Sequence, residues 1–460
     1  MNKENTRIKG VLKIALIASP FVIGVIFYYP HYNESGVRYP LLDAAYAALK
    51  LYTGDAVEGI DTPLILHIAK FAAMFFALSL IISVLDKSKQ LLDYFRAGSE
   101  KNYVVYGRSA HAAHLCQSIG NSRCVSGVDE FIENGRNYVL MFSDDNKNLE
   151  FYAENYDKMK DNNVYIRLEN IRRQNIDCKN VVTFSIYECC ARLYWREYYP
   201  VSSEKIALIG FGCLGQNMLT FGLQMNIISR DQHFEYHIWG ESGEFRELYR
   251  ELDRIDLDEI VFHGADPFAD AKLISECDRI IICSDGSDNI EILSKLLFCM
   301  EPSSAQIDIY SPDQRVIETI YGGSNIRCFG RSEEVADIDV IINQKTLDRA
   351  VKQHEYYVRK YGGEHWDKQN SFIRYSNISS ADYTYVIERL YNEKHMSIEE
   401  IAELEHIRWC RYYYLNNRRY GAVRNDSERI HDLLLPFDKL SEENIIKDIE
   451  AVKVKLTDEM

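Results

Sequence analysis

Lys205-Ile206-Ala207-Leu208-Ile209-Gly210-Phe211-Gly212-Cys213-Leu214-Gly215 is an apolar run followed by an intact G-x-G-x-x-G, and Gln216 to Asn226 continues with helical spacing. A strand that turns through glycine into a helix opens a doubly wound α/β unit. Gly210, Gly212 and Gly215 permit a tight turn, close approach of backbone N–H groups to a phosphate, and close packing of helix on strand. The next strand, Tyr236-His237-Ile238-Trp239, ends in Gly240-Glu241, where an acidic side chain holds ribose hydroxyls in dinucleotide-binding units. Strands predicted at Ile260–His263, Arg279–Cys283 and Gln306–Tyr310 complete a parallel sheet with Asp266, Ser284 and Asp285 at its carboxyl edge. The candidate site for a nucleotide or dinucleotide, NAD-like, ATP or related, is therefore Gly210, Gly212, Gly215, Glu241, Asp266, Ser284 and Asp285. A purely structural Rossmann unit is the alternative.

Upstream the pattern repeats in degenerate form. Tyr103-Val104-Val105-Tyr106 runs into Gly107-Arg108-Ser109-Ala110-His111-Ala112, with Ser109 and Ala112 where the second and third glycines would stand. A Cβ at the point of closest backbone approach disfavours a diphosphate, so this unit reads as a structural half. Its strands are predicted near Arg123–Ser126, Tyr138–Phe142, Val164–Ile166 and Val181–Ser185, with a helix from Ile186 to Tyr198.

Before these units stand two apolar stretches, Val11 to Tyr29 and Leu64 to Leu85. Each has about 20 residues, enough at roughly 1.5 Å per residue to cross a hydrocarbon core of about 30 Å. Lys3, Arg7 and Lys9 precede the first, Lys87, Lys89, Arg96 and Lys101 follow the second, and the loop between is acidic. The positive-inside rule then places both termini in the cytoplasm of a multi-pass cell-membrane protein. Tyr28-Tyr29-Pro30-His31-Tyr32 is not a small-residue cleavage site, which argues against a signal peptide. Between the spans, Pro40 to Tyr52 has helical spacing and runs into Thr53-Gly54-Asp55. A short helix re-entering before Tyr52, Thr53, Gly54 and Asp55 is the layout of a cation-channel pore, potassium being the ion to test; the alternative is an amphipathic helix on the outer surface.

The chain has 460 residues, a net charge of -16 and 47% hydrophobic residues. That length predicts about three folded units, and the acidic balance argues against nucleic acid as a partner. Its 11 cysteines include no C-x-x-C pair and no metal-ligand spacing, which reads as reduced buried thiols. His354, His365, His406 and His431 are tied to no nucleophile, metal or P-loop pattern, so no enzyme, catalytic residue or metal ligand is expected.

Two spans, a connector (Asp86 to Asn102) and two successive Rossmann-type units resemble the channel subunits whose cytosolic RCK domains, also called TrkA-N or KTN, regulate potassium conductance. The resemblance implies a homotetrameric, ligand-gated ion channel in a lipid membrane, with nucleotide bound in the second unit. Only Tyr52-Thr53-Gly54-Asp55 echoes the filter T-V-G-Y-G-D, so the ion stays open. A non-conducting, membrane-tethered nucleotide receptor is the alternative.

The last third is helical and rich in Tyr, His and Arg. Ser397 stands three residues before Glu400 in capping-box register. Glu405-His406-Ile407-Arg408-Trp409, then Tyr420-Gly421-Ala422-Val423-Arg424, then His431 through Pro436, Asp438 and Leu440-Ser441, then Lys447-Asp448, is similar to the RyR domain, the helical repeat of ryanodine receptors. His406, Arg408, Trp409, Tyr420, Arg424 and His431 would suit a cationic, aromatic-walled pocket for a nucleotide-like ligand. The alternative keeps Trp409 in the core and pairs Arg408 and Arg424 with Glu405, Asp426 or Asp438. The expected fold class is thus a membrane helical hairpin (1–90) plus α/β, with two doubly wound Rossmann-type (RCK/TrkA-N) domains (102–200 and 204–335) and a mainly α-helical RyR domain (340–460).

Overall fold

The computed structural model of the chain describes residues 2–55, 63–79, 103–120, 124–128, 130–133, 136–173, 178, 180–286, 288–321 and 325–457. The chain divides into two compact units, 1–96 and 97–460.

The larger unit holds two parallel sheets. The first comprises β1 (Tyr103–Tyr106), β2 (Cys124–Val128), β3 (Asn137–Leu140), β4 (Asn163–Arg167) and β5 (Val181–Phe184), in the order β2-β1-β3-β4-β5. The second comprises β6 (Lys205–Ile209), β7 (Glu235–Trp239), β8 (Glu259–Phe262), β9 (Arg279–Ile282), β10 (Gln306–Tyr310) and β11 (Ile326–Phe329), in the order β11-β10-β9-β6-β7-β8. Both are doubly wound orders, and the second reverses direction between β6 and β9, where such sheets place ligands. Its inner strands β6, β7, β9 and β10 are buried on both faces, as parallel strands are. Ile206 and Leu208 of β6 enter one core, while Ala207 and Ile209 enter another on the opposite face.

The two sheets meet through the helices Ile186–Glu197 and Cys213–Met225. Trp195 donates from Nε1 to the Met218 carbonyl at 2.8 Å, and its ring fills the space that a Cβ on Gly222 would need. The C-terminal helices Ser371–Asn392, Ile398–Leu415 and Glu442–Thr457 pack on the same core, which includes Val105, Leu208, Leu214, Tyr383, Leu404 and Val452. Ser397 and Glu400 form the capping box that their spacing predicts.

The smaller unit contains the helices Asn2–Glu34 and Pro40–Lys50 and a third at 64–79. Gly24 lets the second helix approach: a Cβ there would lie 2.7 Å from that of Ala48. Tyr28, Ala44, Ala48, Leu51 and Leu66 form its core.

The expected membrane hairpin is corrected here. Among the described residues, no helix is long and apolar enough to cross a membrane. Residues 80–85 of the second expected span, and the connector 86–102, lie outside the described residues. The multi-pass cell-membrane location, the cytoplasmic orientation of the termini and the potassium-channel reading lose their basis with the hairpin. What stands is a parallel-sheet α/β fold with a helical C-terminal part.

The residues expected to line a pore build a helix stop. Leu51–Thr53 is a 3-10 turn and Gly54 takes φ +84. The N–H groups of Gly54 and Asp55 donate to Leu51 and Lys50 carbonyls at 3.4 and 3.2 Å. Tyr52 Oη donates to the Ile17 carbonyl at 2.5 Å and Thr53 Oγ1 to that of Lys50 at 2.9 Å.

Candidate nucleotide-binding site

The glycine turn has the geometry its sequence demands. Gly210 sits at φ +95, and a Cβ there would lie 2.6 Å from the Ser284 nitrogen. A Cβ on Gly215 would lie 2.1 Å from the Gly210 carbonyl oxygen, so helix and strand touch backbone to backbone. Gly212 caps the helix Cys213–Met225, whose first N–H groups are the usual seat of a phosphate.

A carboxylate of the chain itself occupies that seat. Cys213 N–H donates to Asp285 Oδ2 at 2.6 Å and Leu214 N–H to Oδ1 at 2.8 Å. The room left by the missing Cβ of Gly212 is filled by the same carboxylate, 2.4 Å from where that Cβ would be. Partial desolvation raises the Asp285 carboxyl above its usual range, against the two N–H bonds that pull it down. Asp285 is held from behind. Asn289, buried, accepts from Ser284 N at 3.0 Å and donates to the carbonyls of Ser284 and Tyr310 at 3.1 and 3.2 Å. Tyr187 Oη donates to the Asp285 carbonyl at 3.2 Å. A diphosphate does not fit here: both N–H groups are taken, and it would face a like charge.

Two more carboxylates play the same part nearby. Asp145 accepts from the N–H groups of Glu169, Asn170 and Ile171 at 2.9, 2.7 and 2.8 Å. Glu169 in turn accepts from Ile186 and Tyr187 at 3.0 and 3.2 Å, at the start of the helix Ile186–Glu197. Of the other expected nucleotide contacts, Glu241 is exposed beyond β7, and Asp266 caps a 3-10 turn by accepting from Phe268 N at 2.9 Å.

Beside the fingerprint helix lies a cavity of about 450 Å³, within the range of small-molecule sites. Three parts of the unit wall it: the loop after β4 (Asn170 to Arg173), the outer face of Cys213–Met225 (Gln216, Asn217, Thr220), and the C-terminal helices (Tyr375, Tyr412, Asn416), with Tyr249 completing one side. The exposed Arg172 guanidinium stands 5.7 Å from the Tyr249 ring centroid. Arg173 stands 5.4 Å from that of Tyr375 and is paired with Glu188. Sequence reasoning found none of these residues except by proximity to the fingerprint; the Arg172-Arg173 doublet was the available signal.

The expected pocket in the C-terminal part divides. His406, Trp409 and His431 come together, with ring centroids 5.5 Å apart for His406 and Trp409 and 5.0 Å for Trp409 and His431. Tyr413, one turn on from Trp409, joins them at 4.2 Å. Arg424 lies at the surface, 3.1 Å from Asp426, and Tyr420 is exposed on a two-residue ladder that pairs it with His431. Arg408 goes to the core instead, 1% exposed. It donates to Glu405 at 2.6 and 3.0 Å and to Ser379 Oγ at 2.7 Å, and Lys455 Nζ closes the group 2.7 Å from Glu405. Arg408 thus pairs with Glu405 in the core, and Arg424 with Asp426 at the surface.

No protein-family model matches the chain, and no curated protein matches it. Among solved structures, the apo-structure of D-lactate dehydrogenase from Escherichia coli is similar over 57% of this chain and 97% of that one, at 14% identity and a TM-score of 0.24. A likeness of that size carries no inference about what this chain does, and the resemblances to RCK and RyR domains stay with the residues quoted for them.

Proposed function

We propose that this chain is a regulatory receptor for a small nucleotide-like ligand, bound in the cavity between the loop after β4, the fingerprint helix and the C-terminal helices. The observation that supports it most is the convergence of three separate chain segments on one polar space of about 450 Å³. Doubly wound sheets in general carry nucleotides at such crevices. The Tyr249 and Tyr375 rings suit a flat heterocycle, Arg172 suits an anionic group, and the amides of Asn170, Gln216, Asn217 and Asn416 suit directional hydrogen bonds. A ligand touching all three segments favours whichever arrangement of them it fits better, which is the requirement for a sensor.

No reaction is proposed. The histidines that a general acid–base reading would use have structural partners: His354 the Glu364 carbonyl at 2.9 Å, His365 the Glu355 carboxylate at 2.7 Å, and His406 Asp448 at 3.2 Å.

The test is calorimetric titration of the full chain with AMP, ATP, NAD, ADP-ribose and cyclic nucleotides at fixed salt. At least one is expected to bind, with affinity reduced tenfold or more in Arg172→Glu and in Tyr249→Ala. Absence of binding by every member, or binding indifferent to both substitutions, sinks the reading.

A further inference from the structure

The three glycines of the second sheet are spaced for a diphosphate, yet the atoms that would hold it are bonded to the chain. We infer that the Gly210–Gly215 fingerprint is a self-occupied anion site, in which the Asp285 carboxylate is the permanent internal occupant of the diphosphate position and excludes diphosphate ligands from the turn.

Three independent observations carry it. The two N–H groups at the head of a 13-residue helix both end on one carboxylate, at 2.6 and 2.8 Å. The close approach that Gly212 permits is used by that carboxylate, since any Cβ would collide with it. The loop bearing Asp285 is fixed by the buried Asn289 and by Tyr187, so the carboxylate is placed before any ligand arrives. A bound diphosphate would have to displace a preorganised, doubly bonded group of its own charge sign. Gly210 and Gly215 serve the geometry of the turn and Gly212 the approach of the carboxylate, and the ligand proposed above sits alongside the helix rather than on its end. This inference does not rest on that proposal, because it concerns different atoms.

The experiment uses inorganic pyrophosphate and NAD as probes on the full chain labelled with 15N at cysteine and leucine. In the wild type at neutral pH, the Cys213 and Leu214 amide resonances are expected to stay in place as pyrophosphate is added. In Asp285→Ser they should move, with pyrophosphate affinity at least tenfold higher than in the wild type. NAD should show the same contrast at these two amides. Asp285→Asn, nearly isosteric, serves if the serine variant does not fold, and is expected to gain less. If pyrophosphate or NAD shifts both amides in the wild type as strongly as in the variants, the inference is overturned. The wild-type titration alone decides this should neither variant fold.

Discussion

Arg411 holds its Nη1 2.5 Å from Asp258 Oδ2, with the two side chains 2% and 0% exposed, and so fastens the helix Ile398–Leu415 to the edge of the second sheet. The guanidinium also donates to the carbonyls of Leu223 and Asp256 at 2.9 and 2.7 Å. Asp258 accepts from Gln232 Nε2 at 3.1 Å and Phe234 N at 3.3 Å. Breaking a buried pair strands a charge, at a cost of about 3–5 kcal/mol. Arg411→Leu is expected to lose that much in urea unfolding of the full chain, and Arg411→Leu with Asp258→Leu to recover part of it. A single variant as stable as the wild type would show that the pair does not hold the helix.

His406 and His431 flank Trp409 in opposite protonation states. His406 has an acceptor at each nitrogen, Asp448 Oδ2 at 3.2 Å and the Leu435 carbonyl at 2.9 Å. Burial opposes its charge, but the Asp448 carboxylate and the Cys410 sulfur together prevail and its pKa is held up to about 10. His431 uses Nδ1 to accept from Leu433 N at 3.1 Å, and burial, then Arg424, lower it to about 4. Against an unfolded value of about 6.5, the His406 contribution is complete below that pH and lost as pH rises through about 10. That of His431 is complete above about 6.5 and lost as pH falls through about 4. Urea midpoints across this range should show the alkaline limb flattened in His406→Gln and the acid limb flattened in His431→Gln. Unchanged limbs would refute the assignments.

What could be read from the sequence was local. The strand, turn and helix of Lys205 to Met225, and the Ser397–Glu400 box, are each specified within about four turns of chain, by period and by cap chemistry. The sequence pattern puts Asp285 at the same sheet edge as the glycines, but it does not give its seating on the helix end, which depends on the side-chain approach that β9 beside β6 allows. Arg408 was grouped with Trp409 as a neighbour in sequence, but consecutive helical residues point about 100° apart, and Arg408 follows Glu405 inward. The reading of the N-terminal stretches as spans rests on apolar length and flanking charge. Gly24, Ala44 and Ala48, small residues where two helices touch, were the packing signal within them.

Two glycines separate backbone need from tolerance. Gly215→Ala would press a methyl onto the Gly210 carbonyl, a backbone atom that cannot rotate away, and is expected to cost roughly 2–4 kcal/mol. Gly243 opens the helix Gly243–Leu248 with nothing within 4 Å of its Cβ position. Gly243→Ala is expected to leave stability unchanged or raise it by about 0.5 kcal/mol. Thermal unfolding of both variants checks the order; equal effects would contradict the close contact at Gly215.

A thiol on the first residue of a helix is ordinarily acidified by the N–H groups around it. Cys213 goes the other way, pushed up to about 12, first by burial and then by the Asp285, Glu169 and Asp145 carboxylates. Its single S–H proton is shared between the Glu169 carbonyl at 3.0 Å and Asn170 Oδ1 at 3.1 Å, a contact that only the protonated thiol makes. At pH 8.5 its alkylation by iodoacetamide should therefore be slower than that of an ordinary thiol by on the order of a hundredfold. Cys299, exposed, supplies the reference within the same molecule. Asp285→Asn removes the nearest negative charge while burial remains, so the Cys213 rate should rise several-fold and still trail that of Cys299. Peptide-resolved mass spectrometry reads both sites at once, and wild-type Cys213 reacting as fast as Cys299 would mean that the carboxylate does not sit on the helix end in solution.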